Sequence, residues 1–338
     1  MFSKQFDLVA IGDMTTDAFI KLREASVHCD VNRENCQICM DFGGKIPYES
    51  VTVIRAVGNS ANAAVAAARL GLSSALVADI GADENGAECL KALGAEKVSE
   101  KFITKHRGME TNYHYVLWYE NDRTILVKHQ DYPRRLPDFP APKWVYLSSL
   151  GGNSEKYQKD IVDYLAKNPS VKLSFQPGTF QIEQGAEKLK EIYRRSTLFV
   201  VNKEEAQKVL NSKEEDPKKL LIALASLGPK IVVITDGVNG AYAYDSSTSL
   251  GAGGTAYFMP LYPDPRTPYE RTGAGDAFSS TLTVALAKGL PLEEALRWAP
   301  INSMSVVQYI GSQKGLLSEK ELKDFLSKAP ADYKPRKI

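Results

Sequence analysis

The chain has 338 residues, 43% hydrophobic and 25% charged, the balance of a globular protein with enough chain for a sizeable core. Forty-two Lys and Arg stand against 41 Asp and Glu, a formal charge of +1, so no basic field favours nucleic acid as a main partner. Its apolar runs fall short of the ~18 residues of a membrane helix, and four cysteines do not make a disulfide scaffold, so the expected compartment is the cytoplasm.

The opening "MFSKQFDLVAIGD" reads as a first strand and not as a signal peptide. Further strands are expected at 73–81, 144–149, 172–177, 196–202 and 230–237, each a short run rich in β-branched residues. Helical patterns lie between them at 59–71, 84–93, 154–167, 181–194, 203–211 and 217–227. Helices at 273–289, 292–310 and 318–328 complete the C-terminal side. This alternation predicts an α/β fold of three layers around a mainly parallel sheet.

Two regions break the rhythm. Residues 14–56 hold no long helical pattern, and residues 111–130 read as two strands around an "END" turn. Tyr113, Tyr115, Leu117 and Tyr119 share one face; His114, Val116 and Trp118 share the other. Such an apolar hairpin needs a cover. An accessory sheet over the main domain meets that need; an edge hairpin of the main sheet is the other arrangement.

The stretch "ERTGAGDAFSSTLTVALAKG" (270–289) places Gly273, Ala274, Gly275 and Asp276 where an amphipathic helix begins. The first amides of a helix lack internal partners, and the helix dipole favours an anion there. A carboxylate beside an anion site is awkward unless it works, and its natural work is to take a proton from a hydroxyl that attacks phosphorus. A glycine-rich cap with an acidic first turn is the plainer reading of the same residues. A P-loop motif is absent, and "GDMTTD" after the first strand is no dinucleotide fingerprint.

With this signature the whole chain resembles, in order of elements, the ribokinase-like (phosphofructokinase-B) family of sugar and nucleoside kinases. The resemblance implies one kinase domain over 1–338, with lid segments at about 14–56 and 108–135 covering the acceptor. It implies Asp276 as catalytic base and the amides of Gly273, Ala274 and Gly275 as an anion hole. ATP and Mg2+ are the implied cofactors. Asn202 and Glu205 in "VNKEEAQ" resemble the motif that arranges Mg2+ and phosphates through water, with Glu205 as the metal-side carboxylate; alone they read as a helix cap. Thr235 and Gly237 resemble the nucleotide-side turn, and Asn302 sits where the family places a residue beside adenine. On the acceptor side, Asp17 resembles the ligand of sugar hydroxyls, and Gly58, Asn59 and Asn62 resemble the first signature. Tyr113, Tyr115 and Trp118 are candidates for stacking on a nucleobase.

The chain also departs from the pattern. Val57 replaces the first glycine of the usual pair, and Ser148 or Ser149 stands where ribokinases carry an acidic sugar ligand, which argues against ribose. Glu270 and Arg271 precede Thr272 where many members have Asp and a small residue; that Asp helps to hold a monovalent cation, so K+ is an open cofactor. His28, Cys29, Cys36 and Cys39 lie within twelve residues, four soft ligands that suit tetrahedral Zn2+. Reduced lid cysteines are the other reading of that cluster.

The leading expectation is an ATP-dependent kinase for a hydroxymethyl group of a sugar or nucleoside. A non-catalytic nucleotide- or metabolite-binding sensor on the same fold, kept open by Val57 and Glu270, is the alternative. Expected partners are the small-molecule acceptor and a second copy through the lid, with no nucleic acid and no membrane.

Overall fold

Leu8 and Ala10 on one face of the first strand, and Val9 and Ile11 on the other, are all fully buried. A strand buried on both faces needs a layer on each side. The computed structural model describes residues 5–30, 36–120, 122–248 and 254–338. Its first half runs β1 (Leu8–Ile11), β2 (Thr15–Leu22), β3 (Ser26–Cys29), β4 (Cys36–Cys39), β5 (Tyr48–Val57), α1 (Asn59–Arg69), β6 (Ser74–Gly81), α2 (Glu84–Ala95), β7 (Ser99–His106), β8 (Tyr113–Tyr119), β9 (Asp122–Leu126) and β10 (Trp144–Leu147). The middle holds α3 (Glu155–Lys167), β11 (Lys172–Phe175), α4 (Thr179–Glu183), α5 (Lys190–Arg195), β12 (Leu198–Asn202), α6 (Lys203–Leu210), α7 (Pro217–Ala225) and β13 (Ile231–Thr235). The chain closes with β14 (Ala241–Asp245), β15 (Thr255–Met259), α8 (Ala274–Ala287), α9 (Leu292–Val306), α10 (Glu319–Ser327) and β16 (Arg336–Lys337).

The main sheet has the order β16-β15-β14-β13-β12-β11-β10-β1-β6-β7. From β7 to β13 every pairing is parallel; β14, β15 and β16 add antiparallel strands. One apolar core joins one face of the sheet to α1, α2, α8, α9 and α10. A second core joins the other face to the helices between β10 and β13. The helical run expected at 181–194 is two helices, α4 and α5, parted where Gly185 turns with φ 85°. The strand β7, "SEKFITKH", escaped the sequence reading because its edge position tolerates Glu and Lys that an inner strand excludes.

The two irregular segments meet in a second sheet of order β5-β2-β8-β9. Its register sorts its faces. Asp17 lies beside His114, and Phe19 beside Val116, with Phe19 and Val116 fully buried. The opposite face carries Val53, Tyr115 and Leu126, which fall in one cross-strand row with Ala18 and are exposed. Tyr113 and Tyr115 therefore face away from Asp17, which corrects their expected role in stacking on a nucleobase; Trp118 shares the inner face but packs on Tyr269.

The metal expectation at the cysteines also needs correction. Cys29 and Cys36 oppose each other in the β3–β4 ladder and are joined by a disulfide. Their sulfurs are therefore neither thiolate ligands for Zn2+ nor reduced lid thiols. His28 meets Ser26 Oγ at 3.2 Å, Cys39 is half-buried, and no cluster of three metal-ligating side chains occurs among the described residues.

Small side chains decide how α1 and α8 approach. Ala61, Ala63, Ala64, Ala66 and Ala67 of α1 are buried, as are Ala277, Ser280, Thr281 and Ala285 of α8. Ala66 stands one turn beyond Asn62 on the same helix face. Ala66→Leu should cost about 1–3 kcal/mol by overpacking, read as a lowered urea midpoint; an unchanged midpoint would contradict the tight fit.

Candidate active site

Strand order places the site. From β1 the chain fills β6 and β7 on one side, then returns to β10 and onward on the other. The crevice beyond the strand ends at such a reversal is where open α/β sheets bind ligands. Asp13, just after β1, donates its amide to Ser149 O at 2.9 Å and accepts from the Gly151 amide at 2.7 Å. Gly58, at the start of α1, adopts φ 107°, and a Cβ there would meet Asp13 O at 2.7 Å. So Gly58 makes the close approach to the β1 loop, while Val57 is merely buried at the end of β5.

The other half of the crevice is the start of α8. Gly273 is its N-cap with φ 82°, in the left-handed region, and a Cβ would fall 2.4 Å from Ser312 Cβ. The first intrahelical bond is Ala277 N to Gly273 O, so the amides of Gly275 and Asp276 precede the ladder. Ala274 N makes only a 3.4 Å contact with Arg271 O, and Ser303 of α9 anchors the Ala274 carbonyl.

Asp276 is half-buried between these halves. Its Oδ2 accepts from Asn62 Nδ2 at 2.7 Å, and its Oδ1 accepts from Gln176 Nε2 at 3.1 Å. Asn62 is itself locked, with Oδ1 accepting from Ser312 Oγ and Gln313 Nε2 at 2.9 and 3.0 Å. Gln176 is locked likewise, with Oε1 accepting from Ser279 Oγ at 2.7 Å and from the Tyr146 hydroxyl. Burial raises the Asp276 carboxyl above the usual carboxylate range; the two amide donors oppose this, and the charge of Asp17 adds to it. Gln176, just past β11, was missed because a glutamine at a strand end carries no chemical signature.

On the nucleotide side, a cavity of about 450 Å³ is lined by Asn202, Thr235, Gly237, Arg271, Ala274 and Gly275 among others. Asn202 and Glu205 form a reciprocal capping box: Asn202 Oδ1 accepts from Glu205 N at 2.8 Å, and Glu205 Oε2 accepts from Asn202 N at 2.9 Å. Glu205 is raised above its ordinary value, first by burial, with the Asn202 amide opposing and Asp276 adding. Glu205 itself does not line the cavity, where Asn202 and Glu204 do, though its carboxylate oxygens are of the hard type that Mg2+ prefers. Asn302 does not line the cavity. It is wholly buried, donating to Thr281 Oγ1 at 2.8 Å and accepting from Leu317 N at 2.9 Å; Pro300, Ser303 and Met304 of the same helix face the cavity instead.

The acceptor side holds groups that sequence reasoning passed over. His114 Nδ1 is 3.3 Å from Asp17 Oδ1, and His129 Nδ1 is 3.5 Å from Asp13 Oδ2. The two imidazoles lie 5.1 Å apart, with Phe180 edge-on to His129 at 5.8 Å. Asp17 Oδ1, His114 Nε2 and His129 Nδ1 are buried without hydrogen-bond partners, so this wall has spare capacity for a ligand. Burial holds His129 below the usual imidazole value, with Asp13 opposing. Arg134 is paired with Asp13 at 2.5 Å and lies 3.8 Å from Asp79, which meets His106 Nε2 at 2.7 Å. Its charge is thus spent inside the protein. Asn59 opens α1, directly after Gly58.

K+ fits this chain poorly. Glu270 Oε1 accepts from the Thr272 amide at 2.7 Å and from its hydroxyl, and the Arg123 guanidinium already stands 3.7 Å away. A larger groove of about 780 Å³, lined by Arg55, Arg69, Arg266 and Tyr309 among others, includes neither Asp276 nor Asn62 nor Gln176.

Known proteins resemble this chain in sequence and fold. The pfkB family carbohydrate kinase profile matches residues 21–319. Ribokinase of Bacillus subtilis is 26% identical over 276 residues, 80% of this chain and 87% of its own. An ATP-dependent 6-phosphofructokinase of Thermoanaerobacterium thermosaccharolyticum is 22% identical over 91% of this chain and 90% of its own. Among solved structures, Arabidopsis thaliana ribokinase complexed with ribose and ATP superposes with a TM-score of 0.79 at 18% identity, covering 96% of this chain and 99% of that one. A nucleoside kinase of Methanocaldococcus jannaschii gives 0.75 at 18% identity, covering 96% and 100%. With its ribokinase-like fold and a family match across most of its length, this chain belongs to the pfkB family of carbohydrate kinases and is an ATP-dependent phosphotransferase.

Proposed function

We propose that the enzyme moves the γ-phosphoryl of ATP to a hydroxymethyl group of an uncharged sugar or nucleoside. The observation that carries this reading is Asp276: a carboxyl with a raised proton affinity, gripped by Asn62 and Gln176, between the cavity beside Gly275 and the wall of Asp17, His114 and His129. Asp276 takes the hydroxyl proton as oxygen attacks phosphorus. The amides at 273–275 receive the charge of the equatorial oxygens, a role worth ~3–4 kcal/mol per donor where such donors have been removed. Mg2+, with the oxygens of Asn202 and Glu205 near it through water, would neutralise phosphate charge. Asp17 and the neutral His129 suit hydroxyl groups, and Arg134, spent on two aspartates, offers nothing to an acceptor phosphate. The use of ATP supports a cytoplasmic location, against the exposed Cys29–Cys36 disulfide, a bond rare in that compartment.

A phosphotransfer screen over sugars, nucleosides and sugar phosphates tests the whole reading. The expected products come from uncharged acceptors; turnover confined to sugar phosphates would refute the reading of the acceptor wall. With the best acceptor, Asp276→Asn should lower kcat by roughly 10²–10⁴ while circular dichroism and ATP affinity hold; retention of wild-type turnover would remove Asp276 as base. Asn62→Ala deletes a donor that lowers the Asp276 proton affinity, so the acidic limb of the pH–rate profile should move to higher pH. A limb that stays in place or moves down contradicts that contact.

We also propose a homodimer through the lid. Val51, Val53, Tyr115 and Leu126 leave the outer face of the β5-β2-β8-β9 sheet apolar and exposed, as a protein interface is before it is covered. Sedimentation should give twice the chain mass, reduced to one by Val53→Asp with Tyr115→Asp; a wild-type monomer at micromolar concentration ends the proposal.

A further inference from the structure

Among the described residues, the lid meets the loop before α8 through an ion pair and a ring contact. Glu270 is only 4% exposed, and its Oε2 has no hydrogen-bond partner. Its Oε1 holds the Thr272 amide and hydroxyl, the last residue before the Gly273 cap. Arg123 comes from β9 on the inner face of the lid. Its Nε is 3.7 Å from Glu270 Oε1 and is likewise buried without a hydrogen-bond partner. Opposite Arg123 in the ladder stands Trp118, which meets Tyr269 edge-on at 5.1 Å. The β8–β9 hairpin thus seats on residues 269 and 270.

A carboxylate buried this deeply needs a counter-charge. If it loses one, it is drawn outward to water, and its hold on Thr272 weakens. We propose that Arg123 is a positioning residue that links lid closure to the anion hole, a proposal that rests on the kinase reading above. With the lid down, Arg123 holds Glu270, Glu270 holds Thr272, and the amides at 273–275 are aimed. With the lid raised, the guanidinium leaves with β9 and the hole loosens. The counter-charge is built into the chain, so this loop needs no monovalent cation.

The test compares wild type with Arg123→Lys, Arg123→Gln, Glu270→Gln and the Arg123→Gln/Glu270→Gln pair. Arg123→Gln should lower kcat by about tenfold to a hundredfold, with the acceptor KM changed less than about threefold. Arg123→Lys should recover most of that loss, guanidinium chloride should speed Arg123→Gln, and the double variant should be no slower than the slower single one. Calorimetry with MgADP and aluminium fluoride, a stand-in for the transferred phosphoryl, needs no acceptor turnover; Arg123→Gln should bind it about tenfold more weakly. Melting temperatures in KCl and in choline chloride of equal ionic strength should agree. Single-variant effects that multiply, an Arg123→Gln that matches wild type in kcat and in analogue binding, or a K+-specific rise in rate or melting temperature would overturn the proposal. If wild type phosphorylates nothing but Arg123→Gln still loses analogue affinity, the linkage stands and the kinase reading falls.

Discussion

A negative side chain, Asp276, in the first turn of α8 is the constraint around which the crevice is arranged. The α8 N-terminus offers free amides and a favourable dipole to phosphate oxygens, yet Asp276 sits in that same first turn. Its charge is tolerated because two amide groups, from α1 and from the end of β11, reach it from opposite sides. Those donors are neutral, so they aim the carboxylate without neutralising it. Burial raises its proton affinity, and the two donors oppose that rise. A lysine in either place would satisfy the charge and end the chemistry.

Elsewhere in the crevice, charge is cancelled internally. Asp13, Arg134, Asp79 and His106 form a buried chain of contacts beneath the acceptor wall. Arg134, whose charge is opposed by its burial yet held by Asp13 and Asp79, sits in the long connection between β9 and β10 and pins it to the ends of β1 and β6. That leaves Asp17, His114 and His129 with buried polar atoms that have no hydrogen-bond partner.

The framework was legible because its signals are local. Runs such as "LVAI" and "IVVIT" are buried on both faces and can only be inner strands, and Gly273 and Gly275 before Asp276 mark a helix mouth whatever surrounds it. The inner and outer faces of β8 follow from alternation alone. What stayed hidden depends on distance along the chain. Gln176, His129 and Arg134 gain meaning only from neighbours more than a hundred residues away or from loops without periodicity. Asn302 was misplaced because one helix turn separates a core position from a cavity position, and Cys29 was misread because ladder register, not spacing, pairs it with Cys36. Resemblance supplied what residues alone left even, the choice of Asp276 as base over cap.

The contact between Asn62 and Asp276 spans 214 positions of chain. During synthesis, α1 and most of the sheet leave the ribosome long before α8 exists. A nascent or C-terminally clipped chain thus has Asp17, Asn62 and His114 but neither Asp276 nor the α8 N-terminus. Asn62 and Asp276 therefore meet only when the final fifth of the polypeptide docks on what was made before it.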